Sequence, residues 1–250
     1  IYKNNILGIF KNTLYHSVLD YKGFASLFSI GAATENIIIK SNSLGLKPHL
    51  NYVYEGKNNL IATLEFSELK KEEYFPFNYL TDFINLRTTN RNLSKPKNIG
   101  TEIFNHLIDC TSDFPNITLK LFDDRNKIDS IKKIVQEFDK IIMTNESTHK
   151  QFMEELRWSK DEALRTKTGI DVNSFDITPS EMAGLTVSKK WDVVKYLQSW
   201  GLGSAFEKMS GNLIDSSSGI GLICASNDSS KSIFKLNAEG FIEIYLSPSE

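Results

Sequence analysis

Residues 29–46 hold one acidic side chain, Glu35, and one basic side chain, Lys40, among small, apolar and uncharged polar ones. Any fold open to this chain has to bury such a stretch. Ile30, Ala33, Ile37, Ser41 and Leu44 recur near helical spacing, Ser29 can cap the start and Gly45 can supply a left-handed end, so the spacing predicts a largely buried helix. A chain of 250 residues, 40% hydrophobic and 24% charged, can enclose it within one large core or between two closely packed halves.

The segments that follow alternate between the two periods of regular structure. His49 to Tyr54 and Leu60 to Phe66 read as strands joined by the hairpin-type connection Glu55-Gly56-Lys57-Asn58-Asn59. Glu68 to Glu73 is a solvated charge run, and Phe75-Pro76-Phe77 breaks regular structure. Ile103, Phe104, Leu107 and Ile108 predict an amphipathic helix from Ile99 to Cys110, and Ile117 to Leu121 alternates as a half-buried strand. Further helices are expected over Ile128 to Ile142 and His149 to Trp158, with a capping box at Ser159 to Glu162. Thr178-Pro179-Ser180-Glu181 opens another, whose later face is Val193, Tyr196, Leu197 and Trp200 before Gly201 stops it. Ile220 to Ala225 reads as a buried strand, whereas Phe241 to Leu246 fits helix and strand equally. The predicted class is α+β with helix in excess.

Charge and cysteine usage narrow the function classes. A formal charge of −2, from 29 basic and 31 acidic residues mixed along the chain, provides no broad basic surface for nucleic acid. Cys110 and Cys224 are far apart and form no metal-type cluster, and the four histidines show no zinc spacing, so no metal site is expected. No stretch has the roughly 20 consecutive apolar residues that a membrane-spanning helix needs. These features point to a cytoplasmic protein without a nucleic-acid or membrane partner. The start at Ile1, running at once into apolar Ile6 to Phe10, reads as a fragment of a longer chain.

The segment richest in chemistry is Leu86-Arg87-Thr88-Thr89-Asn90-Arg91-Asn92-Leu93. Two guanidinium groups four residues apart with a hydroxyl between them can converge on a phosphate. A surface loop with two salt-bridged arginines would use the same residues. Arg87-x-Thr89-x-Arg91, a proline-containing loop and an amphipathic helix together resemble the Arg-x-Ser-x-Arg/Lys opening of flavin-dependent nitroreductases. Ile30 to Asn36 with Leu44-Gly45-Leu46 is similar to a second signature of that family, a Gly-Ala-Ala-x-Glu-Asn helix ending in Leu-Gly-Leu. His149 to Trp158, followed by Arg165 to Asp171, is similar to a divergent branch with two nitroreductase-like halves in one chain, sometimes fused to a ThiF-like adenylylating domain. The Gln-Pro-Trp segment of the family would precede Ile1.

The resemblance implies a nitroreductase-like α/β sandwich with a mixed sheet flanked by helices, built as an internal pseudo-dimer. Residues 1–86 would be the end of the first half, and 87–250 the second half, incomplete at its C-terminus. Flavin mononucleotide (FMN) would lie between the halves, its phosphate on Arg87, Thr89 and Arg91, and NAD(P)H would supply electrons for a small organic acceptor. Thr168 and Gly169 would belong to a lid over the substrate. No side chain stands out as an acid, base or nucleophile, which suits chemistry carried by a flavin. A catalytically idle flavin-binding or interaction domain, attached to an adenylylating enzyme, is the other reading of the same residues.

Overall fold

In the computed structural model, the described residues are 2–13, 17–53, 59–70, 78–109, 111, 117–201 and 205–225. The connection at 55–58, the charge run from 71 onward, Phe75-Pro76-Phe77 and Phe241 to Leu246 lie outside them. The order of elements is β1 (Tyr2–Lys3), β2 (Ile6–Phe10), α1 (Phe24–Ser43), β3 (Leu46–Tyr52), β4 (Leu60–Glu68), α2 (Thr81–Ile84), α3 (Thr101–Asp109) and β5 (Ile117–Phe122). There follow α4 (Arg125–Thr144), α5 (Glu146–Glu155), β6 (Leu156–Arg157), α6 (Lys160–Thr166), β7 (Ile170–Asp171), α7 (Pro179–Val187), α8 (Trp191–Ser199), α9 (Ala205–Ser216) and β8 (Ile220–Ala225). This is an α+β chain with helix in excess. Its strands divide among a four-stranded antiparallel sheet in the order β1-β2-β4-β3, an antiparallel pair β5-β8 and a parallel pair β6-β7.

The four-stranded sheet is organised by β4, which pairs with β2 on one side and β3 on the other. Ala62 and Leu64, two apart on β4 and therefore on one face, are both fully buried. The β3–β4 register sets Pro48 opposite Phe66, whose N–H donates across the other side of β4 to the Asn5 carbonyl at 3.0 Å. Pro48 therefore sits in a pair that exchanges no bonds, and its missing donor lies on the outer edge of β3.

Helix α1 is buried as its sequence requires, but along a different stripe and from an earlier start. It begins at Phe24 after Gly23, whose φ is +75°, and Ser29 lies inside it, donating to the Ala25 carbonyl at 2.9 Å instead of capping. The buried positions are Leu27, Gly31, Thr34, Glu35, Ile39, Ser41 and Asn42, whereas Ala33 is exposed and Leu44 is 66% exposed. Three of those polar side chains need no partner from outside the helix. Thr34, Ser41 and Asn42 donate to the carbonyls of Ile30, Ile37 and Ile38 at 2.8, 2.6 and 2.9 Å, each four residues back. The helix ends at Gly45, left-handed at φ +76° as expected, and Leu46 already belongs to β3.

Side-chain caps set the later helices. Asp124 caps α4, Asn145 caps α5 so that it starts at Glu146, three residues before the expected start at His149, and Thr178 with Glu181 forms the predicted reciprocal box on α7. At Ser159 only half of the expected box forms. Ser159 accepts from Glu162 N–H, but the Glu162 carboxylate takes the N–H of Trp158 at 2.8 Å. The stretch after Pro179 is two helices rather than one, and on α8 the buried residue is Val194, with Tyr196 and Trp200 68% and 71% exposed.

One core cluster gathers Met143, Met153, Leu156, Val172 and Leu185 from α4 through α7. A second joins Leu27 of α1 to Ile117 of β5, with Phe24, Phe28, Ile61 and Ile223 packed on it. This cluster draws on residues from both sides of position 86. Among the described residues, no helix is long and apolar enough to cross a membrane.

Candidate functional site

Residues 87–100 run without helix or strand after α2, and side-chain contacts pin part of this strap to the residues before α7. The Arg87 N–H donates to the Phe83 carbonyl at 2.9 Å, and the Arg87 and Thr89 side chains are exposed. Arg91 is half-buried: its guanidinium donates to Ser174 Oγ at 3.4 Å and lies 6.0 Å from the centre of the Phe175 ring. Two residues on, the Leu93 N–H donates to Asp176 at 2.8 Å. The three residues expected to hold a phosphate thus share one strap, but only Arg91 is anchored against the body.

Arg91 forms part of the wall of a cavity of about 260 Å³. The rest is chiefly apolar, with Ile142 and Met143 of α4, Phe152 of α5, Ile170 of β7, Leu185 of α7, and Met209 and Leu213 of α9. Asp139, Asp176, Ser210 and Asn212 supply its other polar groups. Asp139 was not singled out from the sequence, where only a helix over Ile128 to Ile142 was expected. A usable signal was present: Ile128, Ile131 and Val135 fall at three- and four-residue spacing, and Asp139 followed by Ile142 continues that stripe.

Burial pushes the Asp139 carboxyl above the usual carboxylate range, against a hydrogen bond from Ser210 that pulls it down. Its Oδ2 is one of the buried side-chain atoms that have no hydrogen-bond partner among the described residues. With a raised pKa, the folded state keeps a proton over an interval in which the unfolded chain has lost it, so stability falls as pH rises through that interval. Asp139→Asn removes the titration. The variant should gain on the parent in melting temperature by about a few degrees at most, solvent screening this partly exposed group. The gain should be larger near neutral pH than at about pH 4. Thermal unfolding at both pH values checks this, and an equal difference at both would rule out a raised Asp139.

A second, more open cleft of about 950 Å³ adjoins the first and shares Ile142, Phe152 and Ile170 with it. Its other side comes from the beginning of the chain, including Phe10, Lys11, Asn12, Ser26 and Ile30. The cleft therefore lies between the two parts of the sequence. Gln151 of α5 fastens them nearby by accepting the Val18 N–H at 2.6 Å.

Thr168 and Gly169 line neither of these cavities. Thr168 accepts from the Arg157 guanidinium at 3.0 Å, and the same guanidinium donates to Thr166 at 3.2 Å. Gly169, at φ +76°, packs against the Glu155 carbonyl and the Arg157 side chain so closely that a Cβ would overlap both. These residues clasp the parallel β6–β7 pair.

His149, with no exposed surface, makes a 2.8 Å hydrogen bond from Nε2 to the Ser188 carbonyl and packs beside Trp191. Among the described residues, no three His, Cys, Asp or Glu side chains come together as a metal site would require.

No protein-family model matches the chain. It is 31% identical over 138 residues to an uncharacterized protein of Mycobacterium tuberculosis. That match covers 55% of this chain and 19% of the relative, so the aligned part spans about a fifth of the relative's length.

Proposed function

We propose that the chain is the FMN-binding part of a nitroreductase-type oxidoreductase that passes electrons from NAD(P)H to a small organic acceptor. The observation that carries the reading is the position of Arg91, a guanidinium from the expected phosphate motif set in the wall of a chiefly apolar cavity that adjoins the larger cleft. Flavin mononucleotide is amphipathic in the same sense, a phosphate joined to a large ring system. The donor set fits it: Arg87, Thr89 and Arg91 would hold the phosphate with charge-assisted bonds, and apolar side chains would take the ring.

Size supports the larger cleft as the ring's place. Ligand sites commonly measure roughly 300–1,000 Å³, which includes the 950 Å³ cleft and excludes the 260 Å³ cavity. The cleft's position between residues 10–30 and 138–170 suits the pseudo-dimer reading, in which the flavin lies between two nitroreductase-like halves. When bound, the flavin supplies the hydride and electron chemistry, while the protein's part is to bind, orient and exclude water. No protein acid or base is required by this reading. Thr168 and Gly169, tied to Arg157 and next to Glu155 and Ile170 of the cleft's wall, would be the part of the chain that covers the substrate in this reading.

The second reading keeps the flavin and drops the turnover. The match to only 19% of a longer relative leaves ample chain there for other domains, which suits an interaction module fused to a ThiF-like adenylylating enzyme. A titration of the flavin-free chain with FMN, followed by anaerobic addition of NADH or NADPH, separates the readings. Stoichiometric binding and bleaching of the flavin are expected. Binding without bleaching leaves the idle module, and failure to bind FMN removes both. The cytoplasmic setting proposed for this chemistry rests on its cysteine usage and dependence on a reduced nicotinamide.

A further inference from the structure

Independently of the flavin reading, the stretch Ser216-Ser217-Ser218-Gly219-Ile220-Gly221 leads from the end of α9 into β8 and leaves a space beside the β5–β8 pair. Its serines are tied down. The Arg125 guanidinium donates to the Ser217 carbonyl at 2.8 Å, and Ser218 Oγ accepts the Lys97 N–H at 2.9 Å. The second bond draws the end of the 87–100 strap over this turn and sets Ile99 against Gly219, where a Cβ would come within 2.8 Å of Ile99 Cδ1.

The strand register accounts for the floor of the space. Leu121 stands opposite Gly221 and Leu119 opposite Ile223, and directly opposed residues share a face of the pair. At Gly221, β8 therefore contributes no side chain beside the two leucines, and a Cβ there would meet a methyl of each at 3.4 Å. Helix α3 supplies the roof through Phe104 and Leu107, three residues apart on one face and both half-buried. Between roof and floor lies a cavity of about 150 Å³.

Every residue around it is apolar or glycine. A water molecule there would find no side chain to hydrogen-bond, and a cavity of about 150 Å³ lined by Leu, Ile and Phe stays dry yet takes in benzene or xenon. An occupant restores the dispersion contacts that the lining otherwise lacks on one side. A charged or hydrogen-bonding group would instead give up its water without replacement.

We propose that the space between α3 and the β5–β8 pair is a binding site for a small neutral molecule without hydrogen-bonding groups, no larger than a single ring. Gly221 and Gly219 keep the site open, and Leu119, Leu121, Phe104 and Leu107 grip the ligand.

The test follows the methyl resonances of the chain by NMR during titration with benzene and, separately, with pyrimidine, a ring of the same size that carries two acceptor nitrogens. Benzene should shift the methyls of Ile99, Leu107, Leu119 and Leu121 and bind roughly tenfold more tightly than pyrimidine, or better. Gly221→Val fills the space from the floor and Leu107→Trp from the roof, and each should abolish these shifts. Circular dichroism establishes that the variants are folded, and if Gly221→Val fails to fold, Leu107→Trp and the two-probe comparison still decide. No benzene binding, equal affinity for the two rings, shifts confined to Met143, Leu185 and Met209 of the other cavity, or shifts that persist in a folded filled variant would each overturn the proposal. None of these outcomes depends on whether the chain binds FMN.

Discussion

Gly169→Ala should lower the melting temperature by roughly 6–12 °C, corresponding to about 3 kcal/mol for a chain of this length. Two costs combine. The residue stands at φ +76°, where an L side chain is disfavoured by about 1–2 kcal/mol. The added Cβ would also overlap the Glu155 carbonyl, a backbone atom that moves only if the end of α5 moves, and would crowd the Arg157 guanidinium. Gly45→Ala provides the control, since its φ is also +76° but a Cβ there meets nothing within 4 Å. It should lose only the conformational part, about 1–2 kcal/mol. Differential scanning calorimetry on the two variants measures the difference, and equal losses would mean that the contact with Glu155 carries no energy.

The second large effect is expected at Arg91. With FMN binding followed by flavin fluorescence, Arg91→Ala should weaken affinity by roughly 10- to 150-fold, the equivalent of about 1.5–3 kcal/mol for a bond to a charged group. Arg87→Ala should weaken it less, because an exposed guanidinium works in a high dielectric and is screened by salt. Arg91→Lys should not restore the parent value. A lysine keeps the charge but loses the planar fork and the stacking on Phe175. Unchanged FMN affinity in folded Arg91→Ala would remove the phosphate assignment.

Local rules made much of the fold legible. Thr178, Pro179 and Glu181 announce their helix because a reciprocal cap is written in four consecutive residues, and the structure contains it. The β3–β4 pairing was equally visible in its strand-forming residues. Strand β3 begins at Leu46, before the expected His49, and takes in Pro48, which an edge position tolerates. On α1 the expected stripe included Ser41, which is buried, but passed over Thr34 and Asn42, which are buried beside it. Their bonds to their own helix make burial inexpensive, which hydrophobic spacing cannot register.

The site was less legible because its members come from distant segments. Arg91 was expected to be an anion ligand, but its setting against Ser174 and Phe175 depends on residues more than eighty positions away. Asp139 was passed over, though its place on the α4 stripe marked it. Thr168 and Gly169 read as a loop free to cover a ligand, and nothing local revealed that Arg157 would hold them.

The edge of the four-stranded sheet bears on how copies of this chain would meet. An incoming strand seeking to extend the sheet beyond β3 would find no donor at Pro48, midway along the exposed rim, with the charged Lys47 beside it. Recruitment of a neighbour by backbone pairing is therefore penalised there. Aggregation by sheet growth is guarded against along that rim from within the strand itself.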